Sequence, residues 1–342
     1  MHEPPANLPA EALREHVQAA YGLSVSEVRF LPLGHDPAAW VYRVRTASGE
    51  DLFLKVHLRI RNQAGLLAPR HLRSAGIQQV VAPRRTHNGT LWTETHGYTV
   101  VLYPFVEGQN GFQQRLSPSQ WEAFGRVLRR VHDTPFTPSL GLAIEQDSFT
   151  PAGADLIRQL DAEIGERTFT DEAHQALAQS WQTQRATILM LVEWAEELGE
   201  RLANAFPLSV ICHADIHTGN VLVGTDGRIW IVDWDEVTLA PRERDLMFAV
   251  GGISRQLVSP SEAELFLRGY CDGRETPGLD PLALAYYRYA WAVSDLSAFA
   301  ETVLHRADLS VLLRLSEAAM FQRLFAPGEI VEIALSSPVE AT

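Results

Sequence analysis

The stretch from Ser209 to Asp235 constrains this chain more than any other. Val221-Leu222-Val223 and Ile229-Trp230-Ile231-Val232 are short apolar runs separated by Gly224-Thr225-Asp226-Gly227-Arg228. Runs this short, bounded by glycine and aspartate, predict two buried strands joined by a hairpin. The polar segment His213-Ala214-Asp215-Ile216-His217-Thr218-Gly219-Asn220 leads into the first strand, and Asp233-Trp234-Asp235 ends the second. Such spacing suits phosphoryl transfer, which needs a base beside an acceptor hydroxyl and hard oxygen ligands for a phosphate-bound cation. Asp215 is the expected base. Asn220, five residues later, offers a neutral oxygen to Mg2+, and Asp233, thirteen residues after that, offers a charged one. A second reading stays open: His213, Asp215 and His217 alternate along an extended segment and would project to one side, as ligands of a transition metal do. No acidic or histidine partner at helical spacing joins them.

The composition sharpens one position. Of the 29 basic residues all but one are arginine, and the lone lysine is Lys55. Lysine carries a compact ammonium on a thin stem, whereas the arginine fork is larger and planar. Lys55 falls on the third strand predicted in the chain, where it can reach the α- and β-phosphates of ATP. A chance survivor of codon bias is the alternative.

Around these residues the chain divides in character. A helix is predicted over 9–22, then strands at 28–33, 41–46 and 52–58, with a turn at Gly34-His35-Asp36-Pro37 and a hairpin at Ser48-Gly49-Glu50-Asp51. The loop from Gly34 to Ala39 would cover the phosphates but holds a single glycine. Residues 62–75 have a helical pattern that Pro69 must bend or interrupt. Strands are predicted at 80–83, 91–93 and 98–103. After Pro104 the pattern is mostly helical: a helix capped by Ser119 and running to His132, a long one at 171–205, and three more at 261–271, 282–304 and 309–325. The expectation is a β-rich lobe over 1–103 and a larger α-helical lobe over 104–342. The connector would place Leu102, Tyr103 and Phe105 against the adenine edge.

His213–Asn220 with Asp233-Trp234-Asp235 resembles the aminoglycoside phosphotransferase family, a small-molecule branch of the protein-kinase-like fold. Leu102-Tyr103-Pro104-Phe105-Val106-Glu107-Gly108 and Leu239–Phe248 strengthen the likeness, which runs from about Leu33 to about Leu304. The resemblance implies an α+β, two-lobed fold and an ATP- and Mg2+-dependent kinase. It implies Asp215 as the base, Asn220 and Asp233 as metal ligands, and Lys55 as the phosphate contact. One departure stands out. In this fold a glutamate of the following helix orients the lysine, yet no acidic residue occurs between Asp51 and Glu94. Gln63 is the nearest candidate for that place. A catalytically weak nucleotide binder is therefore an alternative, as is a metabolic kinase for an amino alcohol or sugar.

Charge bears on the acceptor. The net charge of −13 disfavours nucleic acid. It is uneven: residues 1–103 hold 11 basic and 8 acidic residues (+3), and the rest hold 18 and 34 (−16). An acidic second part suits a cationic small molecule, such as an aminocyclitol antibiotic, although acidic surfaces also serve solubility alone. His217, Glu236, Trp291 and Asp295 are the candidate acceptor contacts, with Tyr287 and Trp291 holding ammonium groups over their rings. Two cysteines, no basic-apolar leader and no apolar run of roughly 20 residues point to a cytoplasmic protein with no membrane partner, monomeric or weakly dimeric.

Overall fold

A computed structural model describes residues 3–32, 38–58, 62–205, 207–274 and 278–337. The turn expected at Gly34-His35-Asp36-Pro37 lies outside them. Helix α1 (Ala10–Tyr21) ends where Gly22 adopts a φ of 65° and returns its N–H to Gln18. Strands β1 (Val25–Leu31), β2 (Ala39–Thr46) and β3 (Asp51–His57) form an antiparallel meander, followed by α2 (Ala64–Ser74), β4 (Thr93–Thr95), β5 (Tyr98–Pro104) and β6 (Gly108–Asn110). Next come α3 (Pro118–Asp133), α4 (Pro138–Ala143), α5 (Ala154–Glu166), α6 (Glu172–Ala205) and β7 (Val210–Cys212). A 3₁₀ turn over Thr218–Asn220 leads into β8 (Val221–Gly224), β9 (Ile229–Ile231) and β10 (Thr238–Ala240). The helices α7 (Glu243–Leu246), α8 (Pro260–Cys271), α9 (Pro281–His305), α10 (Val311–Arg323) and α11 (Ile330–Leu335) complete the chain.

Packing groups residues 1–145 with 213–238, and 146–212 with 239–342. This differs from a boundary at 103/104 for a physical reason: β6 pairs with β8, and Val81 donates its N–H to the carbonyl of Ile231, so 213–238 is hydrogen-bonded into the first unit.

In the first unit the sheet order is β1-β2-β3-β5-β4. Alternation decides which way each side chain faces. Tyr42, Val44, Leu52, Leu54, Val56, Val100 and Leu102 point to one side and bury against Leu13 and Val17 of α1. Burying a Leu or Val this fully stabilises by about 1.5–3 kcal/mol each. The other face carries Val41, Lys55 and Val101, which lie directly opposite one another across β2, β3 and β5. Helix α2 packs there, with Leu66 beside Leu91 and Val101. Pro69 lies inside α2 without ending it. The first turn of α2 comes so close to the Trp234–Asp235 backbone that a Cβ on Gly65 would sit 2.9 Å from the Trp234 carbonyl.

Three expectations need correction here. Val80–Pro83 forms no strand but is held by a parallel bridge from Val80 to Ile231. The expected linker at 107–111 contains β6, whose Gly108 and Asn110 lie opposite Gly224 and Leu222. The cap of α3 is Ser117, whose hydroxyl accepts the Gln120 N–H while the Gln120 side chain accepts the Ser117 N–H. Pro118 then starts the helix, so Ser119 lies within its first turn.

The second unit is built on α6, α9 and α10. Trp181 of α6 stacks on Phe321 of α10 at 5.7 Å and 14°, and Arg314 pairs with Asp171 at 3.0 Å. Among the described residues, no helix is long and apolar enough to cross a membrane.

Candidate active site

The polar residues singled out by spacing converge within the first unit. Asp215 follows Ala214, whose φ of 68° is unfavourable for a residue with a Cβ, and Asp233 itself has a φ of 62°. Non-glycine residues held in this region cost of order 1 kcal/mol or more each and cluster at functional sites. The two are tied together by one imidazole. The Asp215 N–H donates to His213 Nδ1 at 3.3 Å, which leaves Nε2–H to donate to the Val232 carbonyl at 2.9 Å. Both ring nitrogens are thereby engaged by backbone, so His213 has no lone pair for a transition metal. That removes the metal reading of His213, Asp215 and His217.

Asn220 closes the cluster. Its Nδ2 donates to the Asp215 main-chain carbonyl at 2.8 Å and to Asp215 Oδ2 at 3.2 Å, and its main-chain carbonyl accepts the Val232 N–H at 3.1 Å. The amide oxygen remains for another partner. His217 Nε2 is 3.6 Å from Asp215 Oδ1, and burial lowers the pKa of His217 despite that carboxylate. The carboxylates keep access to solvent, with side-chain exposures of 29% at Asp215 and 50% at Asp233.

Lys55 answers the departure noted in the sequence. Its ammonium donates to Asp233 Oδ1 at 3.1 Å and to Asp235 Oδ2 at 2.7 Å. Burial works against the charge, but the two carboxylates outweigh it and the pKa is raised; Asp233 is lowered in turn by Lys55, against its own burial. Gln63 is not the partner. It starts α2, and its carbonyl accepts the N–H groups of Leu66 and Leu67 at 3.0 and 3.1 Å. With Gly65 seated on the Trp234–Asp235 backbone, the carboxylates come from that segment rather than from α2. Gln63→Glu is accordingly expected to change the ATP KM by no more than about twofold, as an added exposed charge does. A marked tightening in a titration with ATP would reinstate α2 as the source of the lysine's partner.

The connector residues divide. Leu102 is fully buried against α1, so its side chain is turned away from the Lys55 face, and its carbonyl accepts the Arg84 N–H at 2.6 Å. Tyr103 lies on the Lys55 face; burial, then Asp235 and Asp233, push its hydroxyl pKa well up. Phe105 has the Arg43 guanidinium 4.5 Å over its ring. A cavity of about 210 Å³ opens beside Phe105, Val106 and Trp230. The phosphate-covering loop lies almost wholly outside the described residues.

The acceptor candidates are less uniform. Glu236 is exposed in the turn after Asp235. Trp291 and Asp295 belong to α9 in the second unit. The ring faces expected to hold a ligand's ammonium are taken by the protein's own cation: Arg244 lies 5.6 Å over Tyr287 and 5.5 Å over Trp291. Tyr287 is buried and donates its hydroxyl to Asp147 at 3.0 Å. Three participants escaped sequence reasoning: Asp235 as a lysine partner, His213 as the bridge, and Phe112, which stacks on His217. Asp235 carried a signal in its place two residues beyond Asp233, and His213 one in its place two residues before Asp215; Phe112 carried none.

The sequence profile of a family described as a phosphotransferase enzyme family matches residues 27–284. No curated protein matches the chain in sequence. Among solved structures, spectinomycin phosphotransferase APH(9)-Ia in complex with ADP and spectinomycin is similar at 30% identity and a TM-score of 0.87, covering 98% of this chain and 99% of that one. The AMP-bound complex of spectinomycin phosphotransferase gives 29% and 0.83, over 96% and 99%. Amicoumacin kinase hAmiN, in complex with AMP-PNP, Ca2+ and Ami, shares the fold at 16% identity and a TM-score of 0.63, over 96% and 98%. The small antiparallel sheet and larger helical part are those of this kinase-like fold.

Proposed function

We propose that this chain, which belongs to the phosphotransferase enzyme family and is a small-molecule kinase, transfers the terminal phosphoryl group of ATP to a hydroxyl of a compact cationic ring compound, spectinomycin or an aminocyclitol of similar size. One observation carries the reading: Asp215, Asn220, Asp233 and Lys55 are joined by hydrogen bonds through His213, Val232 and Asp235 into one cluster. The similarity to an enzyme solved with ADP and spectinomycin supports the choice of acceptor.

In this reading Asp215 accepts the proton of the acceptor hydroxyl as the oxygen attacks phosphorus. Lys55 contacts the α- and β-phosphates. The donor set fits magnesium: a carboxylate at Asp233 and an amide oxygen at Asn220 are hard oxygen ligands of the kind this cation takes. Bound there, the ion would offset the charge of the phosphates. His213 holds the backbones that carry Asp215 and Asp233 in fixed register, and Asp235 retains the ammonium of Lys55. These two carboxylate partners also remove the motive for a weak nucleotide binder, which was the lack of an acid between Asp51 and Glu94.

The test is magnesium-dependent ADP release across spectinomycin, kanamycin-type antibiotics, choline, homoserine and neutral hexoses. Spectinomycin is expected to stimulate release most, with a KM that rises with salt because attraction to exposed carboxylates is screened. A preference for a neutral hexose would overturn the cationic acceptor, and release with none of them would overturn the substrate class.

A further inference from the structure

Phe112 is a large aromatic side chain left 52% exposed, yet it is not loosely held. Asn110 Oδ1 accepts the N–H groups of Phe112 and Gln113 at 3.1 and 3.0 Å, and the Gln113 side chain accepts the Asn110 N–H at 3.3 Å. The preceding Gly111 donates to the carbonyls of Thr218 and Val221 at 2.9 and 3.1 Å. The turn is thus clamped to the 3₁₀ segment that ends in Asn220. One face of the Phe112 ring stacks on His217, with centroids 5.0 Å apart and planes at 25°. His217 in turn lies 3.6 Å from the Asp215 carboxylate. Gly219 keeps the pair clear: a Cβ there would fall 2.5 Å from Phe112 Cε2 and 2.7 Å from His217 Cε1.

A held apolar ring, stacked on one face against the imidazole that neighbours the base, leaves its exposed side to whatever brings a hydroxyl to Asp215. Aromatic rings pack well on the C–H faces of saturated rings and attract neighbouring cations. We infer that Phe112 is a specificity-determining residue for the acceptor, forming the apolar wall on which a saturated, ring-shaped, cationic alcohol rests while Asp215 takes its hydroxyl. A linear alcohol would gain little from it. This inference rests on the functional reading above.

Calorimetric titration of spectinomycin, in the presence of ADP, into the wild type, Phe112→Ala and Phe112→Tyr tests it, alongside acceptor and ATP KM values. Loss of the wall is expected to weaken acceptor binding about tenfold, the scale of an aromatic contact. Phe112→Tyr should retain wild-type binding, and the ATP KM and melting temperature should not move. Equal binding by the wild type and Phe112→Ala would overturn the role of Phe112 while leaving the functional reading intact. A parallel loss of ATP affinity or of thermal stability would make Phe112 a structural residue and overturn its role in specificity. Spectinomycin that neither binds the wild type nor is phosphorylated by it would overturn the functional reading, and the wall with it.

Discussion

Asp215→Asn is expected to lower acceptor-stimulated ADP release by roughly 100-fold or more, the range for loss of a general base, while ATP affinity stays near wild type. The substitution is nearly isosteric. An asparagine oxygen can still accept from Asn220 Nδ2, and the Asp215 N–H bond to His213 is a backbone contact that survives. Lys55 and Asp233 are joined to each other rather than to the Asp215 side chain. The proton acceptor alone is removed. Steady-state kinetics with the preferred acceptor, paired with a nucleotide-binding titration, separates the two effects. Wild-type turnover in this variant would show that the base lies elsewhere.

Gly108→Ala should be the most damaging single methyl in the first unit. A Cβ at this position would lie 2.0 Å from the Val223 carbonyl oxygen and 2.8 Å from its carbon, both backbone atoms that no side-chain rotation can clear. The pairing of β6 with β8 must open, and β6 leads directly into the Gly111 contacts with Thr218 and Val221 that hold the segment carrying Asn220. Overpacking of this kind costs about 1–3 kcal/mol, a fall in melting temperature of several degrees. Turnover should fall as well, because the clamp on Asn220 is loosened. Thermal unfolding followed by circular dichroism checks the first, and an unchanged midpoint would mean the strand pair yields without strain.

Both variants concern residues the sequence made visible to different degrees. The elements with strong periodicity were legible: α1, the β1–β2–β3 meander, α6 and α9 lie within a few residues of their expected bounds, since alternation and helical spacing are local signals. Asp215, Asn220 and Asp233 were legible as a spaced set because one hairpin carries them all. What local patterns could not supply is pairing across the fold. β6 is three residues with no apolar alternation, and it exists because β8 offers a partner. The six-residue helices α4 and α11 were not legible for the same reason, whereas α5, 13 residues long with Ile157, Leu160 and Ile164 at helical spacing, carries a local signal. The family resemblance points to α2 for the partner of Lys55, because in that fold a glutamate of the following helix orients the lysine. The close approach at Gly65 depends on a backbone contact with Trp234, some 170 residues away by count along the chain. Leu102 looked like part of a binding connector, but register in the sheet turns it to the α1 side.

The ion pairs of Lys55 have a practical chemical meaning. With 28 arginines and one lysine, the protein offers side-chain amine reagents a single address. Acylation requires a neutral amine, and the pKa of Lys55 is raised by Asp233 and Asp235 while its side chain is only 16% exposed. The ε-nitrogen is therefore a poor nucleophile while both carboxylates hold it. Its rate of modification measures how often that grip opens, and one reacted lysine accounts for all side-chain amide formed. The whole complement of side-chain amines thus rests on the one atom that the functional reading sets against the phosphates.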